Sequence, residues 1–404
     1  MRVKIHKSRA VGRVIAPPSK SMAHRLLIAA AMCEGESRIH GVSESEDVMA
    51  TIDCLRALGV KIEYESGDVR VFGRDMKSTS PVEALHCRES GSTLRFLIPI
   101  ALLCGKSVTF SGTKKLISRP EDVYEELARE QGFFFERGVE KIEVKGPISS
   151  GEYLLRANIS SQFITGIIFA LSALEGDSRI VLTTSIESRS YIELTRAALA
   201  EFGVEIVWEN EYTLYIRGNQ RFTPGDVTVE GDWSGSAFIE AFNLFDGEVT
   251  LDGLNENSLQ GDRVYREHFK TIAVGTPTIN IEDCPDLAPI LFTVSAMKNG
   301  AVFLGTKRLK IKESDRALAM KEELEKFGAK IEVSENSVTV AASELHTPSA
   351  RLLSHNDHRV VMSLAVAASV FGGEIEGSEA VKKSYPSFFS EIESIGINLE
   401  QYDT

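Results

Sequence analysis

Twelve glycines mark an internal repeat along this chain. Apolar runs of helical character end at a first series of glycines, namely Gly35, Gly105, Gly176, Gly247, Gly300 and Gly373. More amphipathic runs end at a second series, namely Gly59, Gly132, Gly203, Gly275, Gly328 and Gly396. Strand-like stretches such as residues 60–64 and 329–333 follow most of them, and glycine suits these places because a helix commonly stops at a left-handed residue. The pattern predicts six helix–strand–helix–strand repeats.

The spacing of the repeats predicts two domains. Successive glycines of the first series lie 70, 71, 71, 53 and 73 residues apart, so the fourth repeat has lost a piece that the others keep. Three full repeats precede a turn at residues 223–226, and a chain of 404 residues is too long for one hydrophobic core. The simplest partition is two domains of three repeats each.

Composition and charge restrict the class of protein. The hydrophobic content of 43% and the charged content of 25% are ordinary for a globular chain, whereas a formal net charge of −13 argues against a nucleic-acid surface. Residues 1–7 lack the apolar centre of a signal peptide, and no apolar run reaches the roughly 18 residues of a membrane span. The five cysteines form no C-x-x-C pair, so we expect reduced core thiols in a cytoplasmic protein.

The two series of helices differ in the burial that we expect. Helices that end at the first series are apolar on all sides, as in residues 96–103 and 360–368, and should be buried. Helices that end at the second series carry charge on one face, as in residues 321–327. We expect these helices to lie nearer the surface.

Small hydroxyl residues, glycine and cations gather where the apolar helices begin. These entrances lie at residues 17–25, 88–95, 158–162, 230–236, 283–286 and 355–359. One interpretation is that their Ser and Asp residues are only N-caps, which stabilise any helix. Lys20, Arg25 and Arg359 need another explanation, because a cation is unfavourable in a first helical turn unless an anion binds there. The repetition of this pattern predicts a polyanionic ligand.

The entrances of the amphipathic helices repeat the pattern at residues 118–122, 187–191, 312–316 and 382–386. The alternation of Arg308, Lys310 and Lys312 predicts a strand that carries all three on one face and leads into a helix beginning near Ser314. Glu313 stands between cations, which fits a carboxylate with an acid–base role and equally fits a structural ion pair.

Taken together, these segments resemble the 5-enolpyruvylshikimate-3-phosphate synthase family. The likeness spans nearly the whole chain and rests on nine motifs in order: P-S-K-S-x-x-x-R at 18–25, E-S-G-S-T-x-R at 89–95, S-R-P at 118–120, S-S-Q-F at 160–163, G-D-x-S at 231–234, P-D-L-A at 285–288, K-E-S-D-R at 312–316, N-D-H-R at 356–359 and K-S-Y-P at 383–386. Each motif alone is weak. All nine, at the spacing of the family, are specific.

The resemblance implies an α/β fold with two domains, an inside-out barrel in which each domain has three βαβαββ repeats about a pseudo-threefold axis. By analogy, residues 20–226 form the domain on the shikimate 3-phosphate side, residues 1–19 plus 227–404 form the second domain, and the active site lies in the cleft between them. We therefore expect a closing motion when the first anion binds. The family works as a monomer without metal or organic cofactor, and His355 and His358 have no nearby Cys or third His to complete a zinc site.

The reaction implied is transfer of the enolpyruvyl group of phosphoenolpyruvate to the 5-hydroxyl of shikimate 3-phosphate, with release of phosphate, on the pathway to chorismate and the aromatic amino acids. Neither a nucleic acid nor a membrane takes part. The residues that match the family's shikimate 3-phosphate contacts are Ser21, Arg25, Ser160, Ser161, Gln162, Ser188, Tyr191 and Lys312. Those that match its phosphoenolpyruvate contacts are Lys20, Gly91, Arg95, Arg119, Gln162, Arg316, Arg359 and Lys383.

The resemblance also implies an acid and a base. Asp286 matches the family's proposed base for the 5-hydroxyl, and Glu313 matches its proposed proton donor to the methylene carbon, with Lys20 assisting. Glyphosate occupies the phosphoenolpyruvate site in the family, and Gly91 leaves room for it, so the resemblance favours sensitivity. Glu89, and Arg308 in place of an asparagine common in relatives, depart from the family pattern and leave the question open.

Two alternatives remain at this point. UDP-N-acetylglucosamine enolpyruvyl transferase shares the fold and the donor, but its family carries a cysteine where this chain has Lys114, and an asparagine where this chain has Ser21. A non-catalytic descendant that only binds anions is the other alternative. Retention of Lys20, Asp286 and Glu313 together argues against it, because a decayed enzyme should have lost some of them.

Overall fold

The computed structural model describes residues 1–403. The strands are β1 (Arg2–Ile5), β2 (Val11–Ile15), β3 (Gly35–His40), β4 (Lys61–Glu65), β5 (Asp68–Gly73), β6 (Leu85–His86), β7 (Ser107–Ser111), β8 (Phe134–Arg137), β9 (Lys141–Lys145), β10 (Glu152–Leu155), β11 (Ser178–Leu182), β12 (Ile206–Asn210), β13 (Thr213–Ile216), β14 (Asp226–Thr228), β15 (Glu248–Asp252), β16 (Thr278–Asn280), β17 (Gly300–Leu304), β18 (Lys330–Val333), β19 (Ser337–Ala341), β20 (Leu352–Leu353), β21 (Gly373–Glu376) and β22 (Leu399–Tyr402).

The α-helices are α1 (Lys20–Ala31), α2 (Glu46–Ala57), α3 (Gly91–Leu102), α4 (Lys114–Ile117), α5 (Asp122–Gln131), α6 (Ser161–Ser172), α7 (Arg189–Ala200), α8 (Trp233–Glu240), α9 (Tyr265–Val274), α10 (Ala288–Met297), α11 (Arg316–Glu325), α12 (His358–Phe371) and α13 (Phe388–Ser394). Short 3₁₀ helices lie at Met76–Ser78, Ala241–Leu244, Gly261–Val264, Pro285–Leu287, Lys307–Ile311 and Ser378–Lys383.

The strands of residues 1–403 form six sheets, and five of these sheets share one topology. In each of the five, a parallel pair is extended by two antiparallel strands, as in the order β6-β7-β9-β8. The remaining sheet consists of the parallel pair β15 and β2 alone. It belongs to the fourth repeat, where the glycine spacing drops to 53 residues. The prediction of six repeats with a shortened fourth one is confirmed.

Contacts divide the chain into two compact units, each with its own hydrophobic core. One unit is Lys20–Glu230, and the other joins Met1–Ser19 to the chain from Gly231 onward. Each unit holds three sheets, and each is completed by strands that are distant in sequence. In the first unit β14 pairs with β3, and in the second β1 lies between β21 and β22.

The apolar helices are enclosed within the units, as predicted. In the Lys20–Glu230 unit, α3 packs on α6 and on β9, and α1 packs on α7 and on β5. In the other unit, α10 packs on α12. Leu27, Ile98, Ile168, Ile290 and Leu364 are fully buried. These helices are apolar on every side, and the hydrophobic effect therefore favours their complete burial.

The predicted left-handed glycines occur mainly in the second series. Gly132 caps α5 with φ +78°, whereas Gly176, Gly247 and Gly373 of the first series have no positive φ, so the prediction is wrong there. A close approach of the backbone explains one of these exceptions. A Cβ atom at Gly247 would lie only 2.6 Å from the carbonyl oxygen of Phe242.

The basic segment before α11 is helical, so the predicted strand is wrong. Lys307–Ile311 is a 3₁₀ helix, and α11 begins at Arg316 after the N-cap Asp315. The charge alternation was misleading because Arg308 is buried and donates from Nη2 to the backbone oxygen of Glu282. A residue that turns into the fold cannot share an exposed strand face with its neighbours.

Four of the five cysteines lie in the core, as predicted, and Cys104 is half-buried. The described chain contains no disulfide. Burial raises the pKa of Cys33 to about 12, which keeps this thiol protonated and unreactive. None of the helices in residues 1–403 has the length and apolarity needed to cross a membrane.

Candidate active site

Arg25 of α1 forms hydrogen bonds with α7, a helix of the third repeat. Its Nε donates to Thr195 Oγ1 at 2.9 Å, and its Nη2 donates to the backbone oxygen of Tyr191 at 3.1 Å. The guanidinium carbon also lies 5.1 Å from the ring centre of Phe96 and 5.8 Å from that of Tyr191. Burial lowers the pKa of Arg25 to about 10. Two residues predicted to bind the same substrate, Arg25 and Tyr191, are thus in contact.

The predicted serines lie at the starts of α6 and α7. The Ser160 hydroxyl accepts a hydrogen bond from the backbone N–H of Gln162, so Ser160 is the N-cap of α6. Ser188 precedes α7 in a left-handed conformation with φ +61°. Such a conformation is uncommon for a residue with a Cβ atom and is often retained at functional sites. The N-cap interpretation therefore holds at Ser160, and the backbone strain marks Ser188 as a candidate for binding.

Lys20 is the first residue of α1 and forms an ion pair that the sequence did not reveal. Its Nζ donates to Asp47 Oδ2 at 2.8 Å, and both side chains are largely buried. Asp47 stands in the first turn of α2, where a carboxylate is favourable. The pair fixes the ammonium group at the entrance of α1.

Four side chains of the Lys20–Glu230 unit form what we call the Arg95 cluster: Arg95, Arg119, Glu121 and Gln162. Arg95 donates from Nε to Glu121 Oε1 at 2.9 Å and from Nη1 to Gln162 Oε1 at 3.0 Å. Burial raises the pKa of Glu121, and Arg95 offsets part of that rise. Arg95 and Gln162, both predicted to bind phosphoenolpyruvate, are thus held together.

Arg119 is the member of this cluster that points to a ligand. The residue is 7% exposed, and within residues 1–403 its Nε and Nη2 atoms have no hydrogen-bond partner. Its Nη1 lies against Gly91, where a Cβ atom would come within 2.9 Å of that nitrogen. Buried N–H groups without acceptors are costly, so these two nitrogens make Arg119 a candidate for anion binding.

A second group, which we call the Asp286 cluster, lies in the other unit and contains Asp286, Lys312, Arg316 and Arg359. Asp286 Oδ1 lies 2.7 Å from Arg316 Nη1 and 3.3 Å from Lys312 Nζ. Its Oδ2 accepts from Arg359 Nη2 at 3.1 Å. The 3₁₀ turn Pro285–Leu287 places this carboxylate immediately before α10. The sequence predicted all four residues, and the structure brings them together.

These contacts set the charge state of the cluster. Burial alone would raise the pKa of Asp286, but Arg359, Lys312 and Arg316 together hold it well below its ordinary range. Burial lowers the pKa of Lys312, and Asp286 offsets part of that effect. Asp286 is therefore ionised in the structure, and it is compensated by three cations.

Arg316 also joins two further carboxylates to the cluster. Its Nη2 donates to Glu313 Oε2 at 2.8 Å, and its Nε donates to Asp357 Oδ2 at 2.9 Å. Asp357 is the N-cap of α12 and accepts from the backbone N–H of Arg359 at 2.9 Å. Glu313 is thus part of an ion-pair network, and it shares its partner Arg316 with Asp286. Both interpretations of Glu313 from the sequence remain compatible with the structure.

Lys383 lies beside the same end of α12. Its Nζ donates to the backbone oxygen of Asn356 at 2.6 Å, and the residue is 6% exposed. Asn356 has φ +53° in the turn that leads into α12. Lys383 therefore adds a buried cation next to the helix start that carries Arg359.

Sequence reasoning missed the acidic partners of these cations. Glu121 follows the S-R-P motif directly, and Asp357 lies within N-D-H-R. Both therefore belong to the motif segments, but the sequence assigned neither of them a role. Asp47 lies 27 residues from Lys20 and carried no signal. A pattern of cations near helix starts reveals where an anion binds, but it does not reveal which carboxylates hold the cations in place.

One group in the described part of the chain has ligand atoms close enough for a metal ion: Glu322, Glu323 and His355. Lys326 Nζ already donates to both oxygens of Glu323, at 2.8 and 2.9 Å, and His355 Nε2 lies 2.8 Å from Glu323 Oε1. The group is therefore an ion-pair network that fixes the turn before α12. It lies outside the two clusters.

Buried cations, a ligand-ready guanidinium and adjacent carboxylates together define a class of protein. They are the features of a protein that binds small anions in buried, positively charged surroundings. The fold is one that solved structures share. A structure titled EPSP synthase from Acinetobacter baumannii superposes with a TM-score of 0.81 at 22% identity, over 99% of this chain and 100% of that one.

The sequence comparisons agree with the fold. A family model described as EPSP synthase (3-phosphoshikimate 1-carboxyvinyltransferase) matches residues 5–392. The 3-phosphoshikimate 1-carboxyvinyltransferase of Clostridium novyi is 39% identical over 99% of this chain and 98% of its own length. The enzyme of the same name from Clostridium kluyveri is 37% identical with the same coverage. This chain belongs to the EPSP synthase family.

Proposed function

We infer that this chain catalyses the transfer of the enolpyruvyl group from phosphoenolpyruvate to the 5-hydroxyl of shikimate 3-phosphate, with release of phosphate. The observation that carries this function is the full-length match to proteins named 3-phosphoshikimate 1-carboxyvinyltransferase, at 39% and 37% identity. Both substrates are anions. The buried cations of the two clusters are the groups that such substrates require.

For phosphoenolpyruvate, we propose a set of binding residues that both units supply: Lys20, Gly91, Arg95, Arg119, Gln162, Arg316, Arg359 and Lys383. Support comes from Arg119, whose two partnerless donors in the described structure can pair with a carboxylate or phosphate in the two-pronged geometry of a guanidinium. Gly91 supports it as well, because the absence of a side chain there leaves Arg119 Nη1 accessible.

For shikimate 3-phosphate, we propose contacts from Ser21, Arg25, Ser160, Ser161, Gln162, Ser188, Tyr191 and Lys312. All but Lys312 belong to the Lys20–Glu230 unit. The hydroxyl groups and backbone N–H groups at the starts of α6 and α7 suit the phosphate and ring hydroxyls of this substrate. We therefore assign the Lys20–Glu230 unit to the shikimate 3-phosphate side and the other unit to the second domain. The boundary expected at residue 226 moves to residue 230, because β14 (Asp226–Thr228) pairs with β3.

For the chemistry, we propose Asp286 as the base that takes the 5-hydroxyl proton and Glu313 as the acid that protonates the methylene carbon, with Lys20 assisting. Three cations stabilise ionised Asp286 and make it a weak base in the absence of substrate. Substrate anions that engage these cations would raise its pKa and its basicity. The same cations would then stabilise the negative charge of the phosphate-bearing intermediate.

We further propose that the enzyme works in the cytoplasm as a monomer, without metal, organic cofactor or nucleic acid. Support for the monomer comes from the presence of both clusters in one chain. The net charge of −13 supports a partner that is not a nucleic acid.

The direct test of the function is phosphate release from phosphoenolpyruvate, with shikimate 3-phosphate and UDP-N-acetylglucosamine supplied separately as acceptors. We expect release with shikimate 3-phosphate alone. Release with the sugar nucleotide would instead identify the protein as a UDP-N-acetylglucosamine enolpyruvyl transferase. A folded protein that releases phosphate with neither acceptor would be a non-catalytic member of the family.

A further inference from the structure

Arg25 is a buried cation whose hydrogen-bond partners in residues 1–403 are all neutral. The residue is 2% exposed, and its hydrogen bonds end on hydroxyl and backbone oxygens, with no carboxylate among them. Arg95 of the same unit, by contrast, donates to the carboxylate of Glu121. A guanidinium that is held only by neutral oxygens keeps its charge available for an anionic ligand.

Two threonine hydroxyls take part in holding this guanidinium, which has five N–H donors. Its Nε donates to Thr195 Oγ1 at 2.9 Å, and its Nη2 donates to the backbone oxygen of Tyr191 at 3.1 Å and to Thr165 Oγ1 at 3.4 Å. Its Nη1 donates to the backbone oxygen of Ser21 at 2.7 Å. In the described part of the chain, four of the five donors of Arg25 are therefore used, and one N–H of Nη1 is left.

The direction of the hydrogen bonds between the threonines follows from their protons. Thr195 Oγ1 donates to the backbone oxygen of Tyr191 at 2.9 Å. Because a hydroxyl has only one proton, Thr165 is the donor in the 2.8 Å contact between the two threonine oxygens. Each oxygen therefore has a lone pair for Arg25, and neither directs its proton at the guanidinium.

The surroundings keep both hydroxyls in place. Thr165 lies on α6 and Thr195 on α7, and both residues are fully buried. Both side chains are β-branched, so their rotation about χ1 is restricted. The helices that carry them pack on each other, and α7 also packs on α1, the helix of Arg25. The direction of the guanidinium is thus set by helices and does not depend on a loop.

We propose that Thr165 and Thr195 are positioning residues for shikimate 3-phosphate: they direct the Arg25 guanidinium so that its remaining Nη1 donor meets this substrate. This inference rests on the proposed function and on Arg25 as a contact of shikimate 3-phosphate. Neither threonine touches the substrate in this account. Because both are neutral, they fix the guanidinium and leave its charge to the substrate anion.

The role depends on the hydroxyl groups, so substitutions that keep the shape can separate it from packing. Valine has nearly the shape of threonine and lacks the acceptor, whereas serine keeps the acceptor. The matched control is Thr293→Val. Thr293 is also fully buried, and its hydroxyl donates to the backbone oxygen of Pro289 at 3.0 Å, four residues earlier, as Thr195 does in α7. Its hydrogen-bond partners within residues 1–403 include no arginine.

The test measures the Kd of shikimate 3-phosphate by titration calorimetry, and both KM values and kcat by phosphate release. We expect Thr195→Val to raise the Kd and the KM for shikimate 3-phosphate about 10-fold, because Arg25 Nε loses its acceptor. Thr165→Val removes the longer contact and should raise them about threefold. In both variants kcat and the KM for phosphoenolpyruvate should stay within about twofold of wild type, and Thr293→Val should change none of the constants by more.

Two further variants test the hydroxyl network itself. Thr195→Ser should return the Kd to within about twofold of wild type. The Thr165→Val/Thr195→Val double variant should weaken binding by less than the product of the two single effects, since the two hydroxyls are bonded to each other. Thr195→Ser that binds as weakly as Thr195→Val would show that only the methyl group matters, and it would overturn the proposal.

The remaining outcomes separate this inference from the proposed function. Valine variants with the wild-type Kd, or with equal rises in both KM values, would overturn the positioning role. Thr165→Val alone decides the question if Thr195→Val does not fold. Wild-type protein that neither binds shikimate 3-phosphate nor releases phosphate with it would overturn the proposed function. Active wild type with unaltered valine variants would overturn this inference alone.

Discussion

The Arg95 cluster and the Asp286 cluster both contain buried arginines and carboxylates, but the arginines differ in the partners that they find. In the Arg95 cluster, Arg119 is buried and two of its nitrogens find no partner in the described structure. In the Asp286 cluster, Arg316 meets three carboxylates, those of Asp286, Glu313 and Asp357. One cluster holds a guanidinium with unused hydrogen-bond donors, whereas the central guanidinium of the other is shared by three carboxylates.

This difference indicates a division of labour. A buried guanidinium with unused donors gains most from an incoming anion, so we propose that the Arg95 cluster serves binding. A network of carboxylates and cations holds acids and bases in fixed positions, so we propose that the Asp286 cluster serves proton transfer. The following predictions test this division, beginning with the largest effect.

Removing the charge of Asp286 should affect the chemical step. Asp286→Asn preserves the shape but cannot take the 5-hydroxyl proton, and we expect kcat to fall about 10²–10⁴-fold with little change in the KM for phosphoenolpyruvate. Steady-state phosphate release measures both constants. The nearby exposed residue Asp283 offers a matched control, and Asp283→Asn should keep kcat within about twofold of wild type. An equal fall in both variants would exclude a specific role for Asp286.

The two clusters should differ in their contribution to stability. Arg316→Met leaves three carboxylates without their shared partner and should lower the free energy of unfolding by about 3–5 kcal/mol. Arg119→Met removes a buried guanidinium whose Nε and Nη2 have no hydrogen-bond partner in the described structure, and it should leave stability unchanged or raise it. Thermal and denaturant unfolding without substrate measures this contrast. Equal destabilisation by the two variants would show that the clusters do not differ in this way.

Loss of Arg119 should weaken substrate binding. Arg119→Met removes charge-assisted hydrogen bonds worth about 1.5–3 kcal/mol, so the KM for phosphoenolpyruvate should rise roughly 10- to 100-fold. The KM for shikimate 3-phosphate should change much less. The control is Arg129→Met, since Arg129 is an exposed arginine of α5 in the same unit. A KM close to that of wild type would remove Arg119 from the binding site.

Filling the space at Gly91 should have a smaller effect of the same kind. The Cβ atom of Gly91→Ala would lie 2.9 Å from Arg119 Nη1, so the guanidinium must shift. We expect the KM for phosphoenolpyruvate to rise about 3- to 10-fold and the inhibition constant of glyphosate to rise as well. Gly275→Ala is a suitable control because a Cβ atom there meets nothing within 4 Å. Unchanged constants would show that Arg119 accommodates the methyl group without loss.

The smallest predicted effect is a pair of opposite pH slopes in stability. Arg316 lowers the pKa of buried Asp357 despite its burial, so the stability that this carboxylate adds is present above its unfolded pKa and lost as pH falls through the folded value. Burial raises the pKa of Glu121, so its ionisation costs stability as pH rises. From about pH 6 to about pH 3, the advantage of wild type should shrink against Asp357→Asn and grow against Glu121→Gln. Melting temperatures measure both slopes, and slopes of one sign would contradict the contrast.

The number and length of the repeats could be predicted because they are local features of the chain. The glycine spacing reports helix and strand lengths directly, so it revealed even the shortened fourth repeat and its sheet of β15 and β2. The prediction for Lys307–Ile311 was wrong because alternating charge is typical of a strand. The burial of Arg308 depends instead on its contact with the backbone of Glu282. Propensity and periodicity cannot register such tertiary contacts.

The prediction of the candidate site had the same limit, because it could not include contacts between residues distant in sequence. The cations were recognisable as motif residues near helix starts. Their acidic partners were not, because Arg95 and Glu121 are 26 residues apart and Arg316 and Asp357 are 41 apart. Side-chain pairing across such distances depends on packing that no spacing rule encodes.

The division of labour is tested most directly by one kinetic comparison: phosphate release by Asp286→Asn and Arg119→Met, with phosphoenolpyruvate varied at saturating shikimate 3-phosphate. The account predicts that Asp286→Asn loses kcat and keeps its KM, and that Arg119→Met raises KM while keeping most of its kcat. Two variants that change the same constant by similar factors would contradict it.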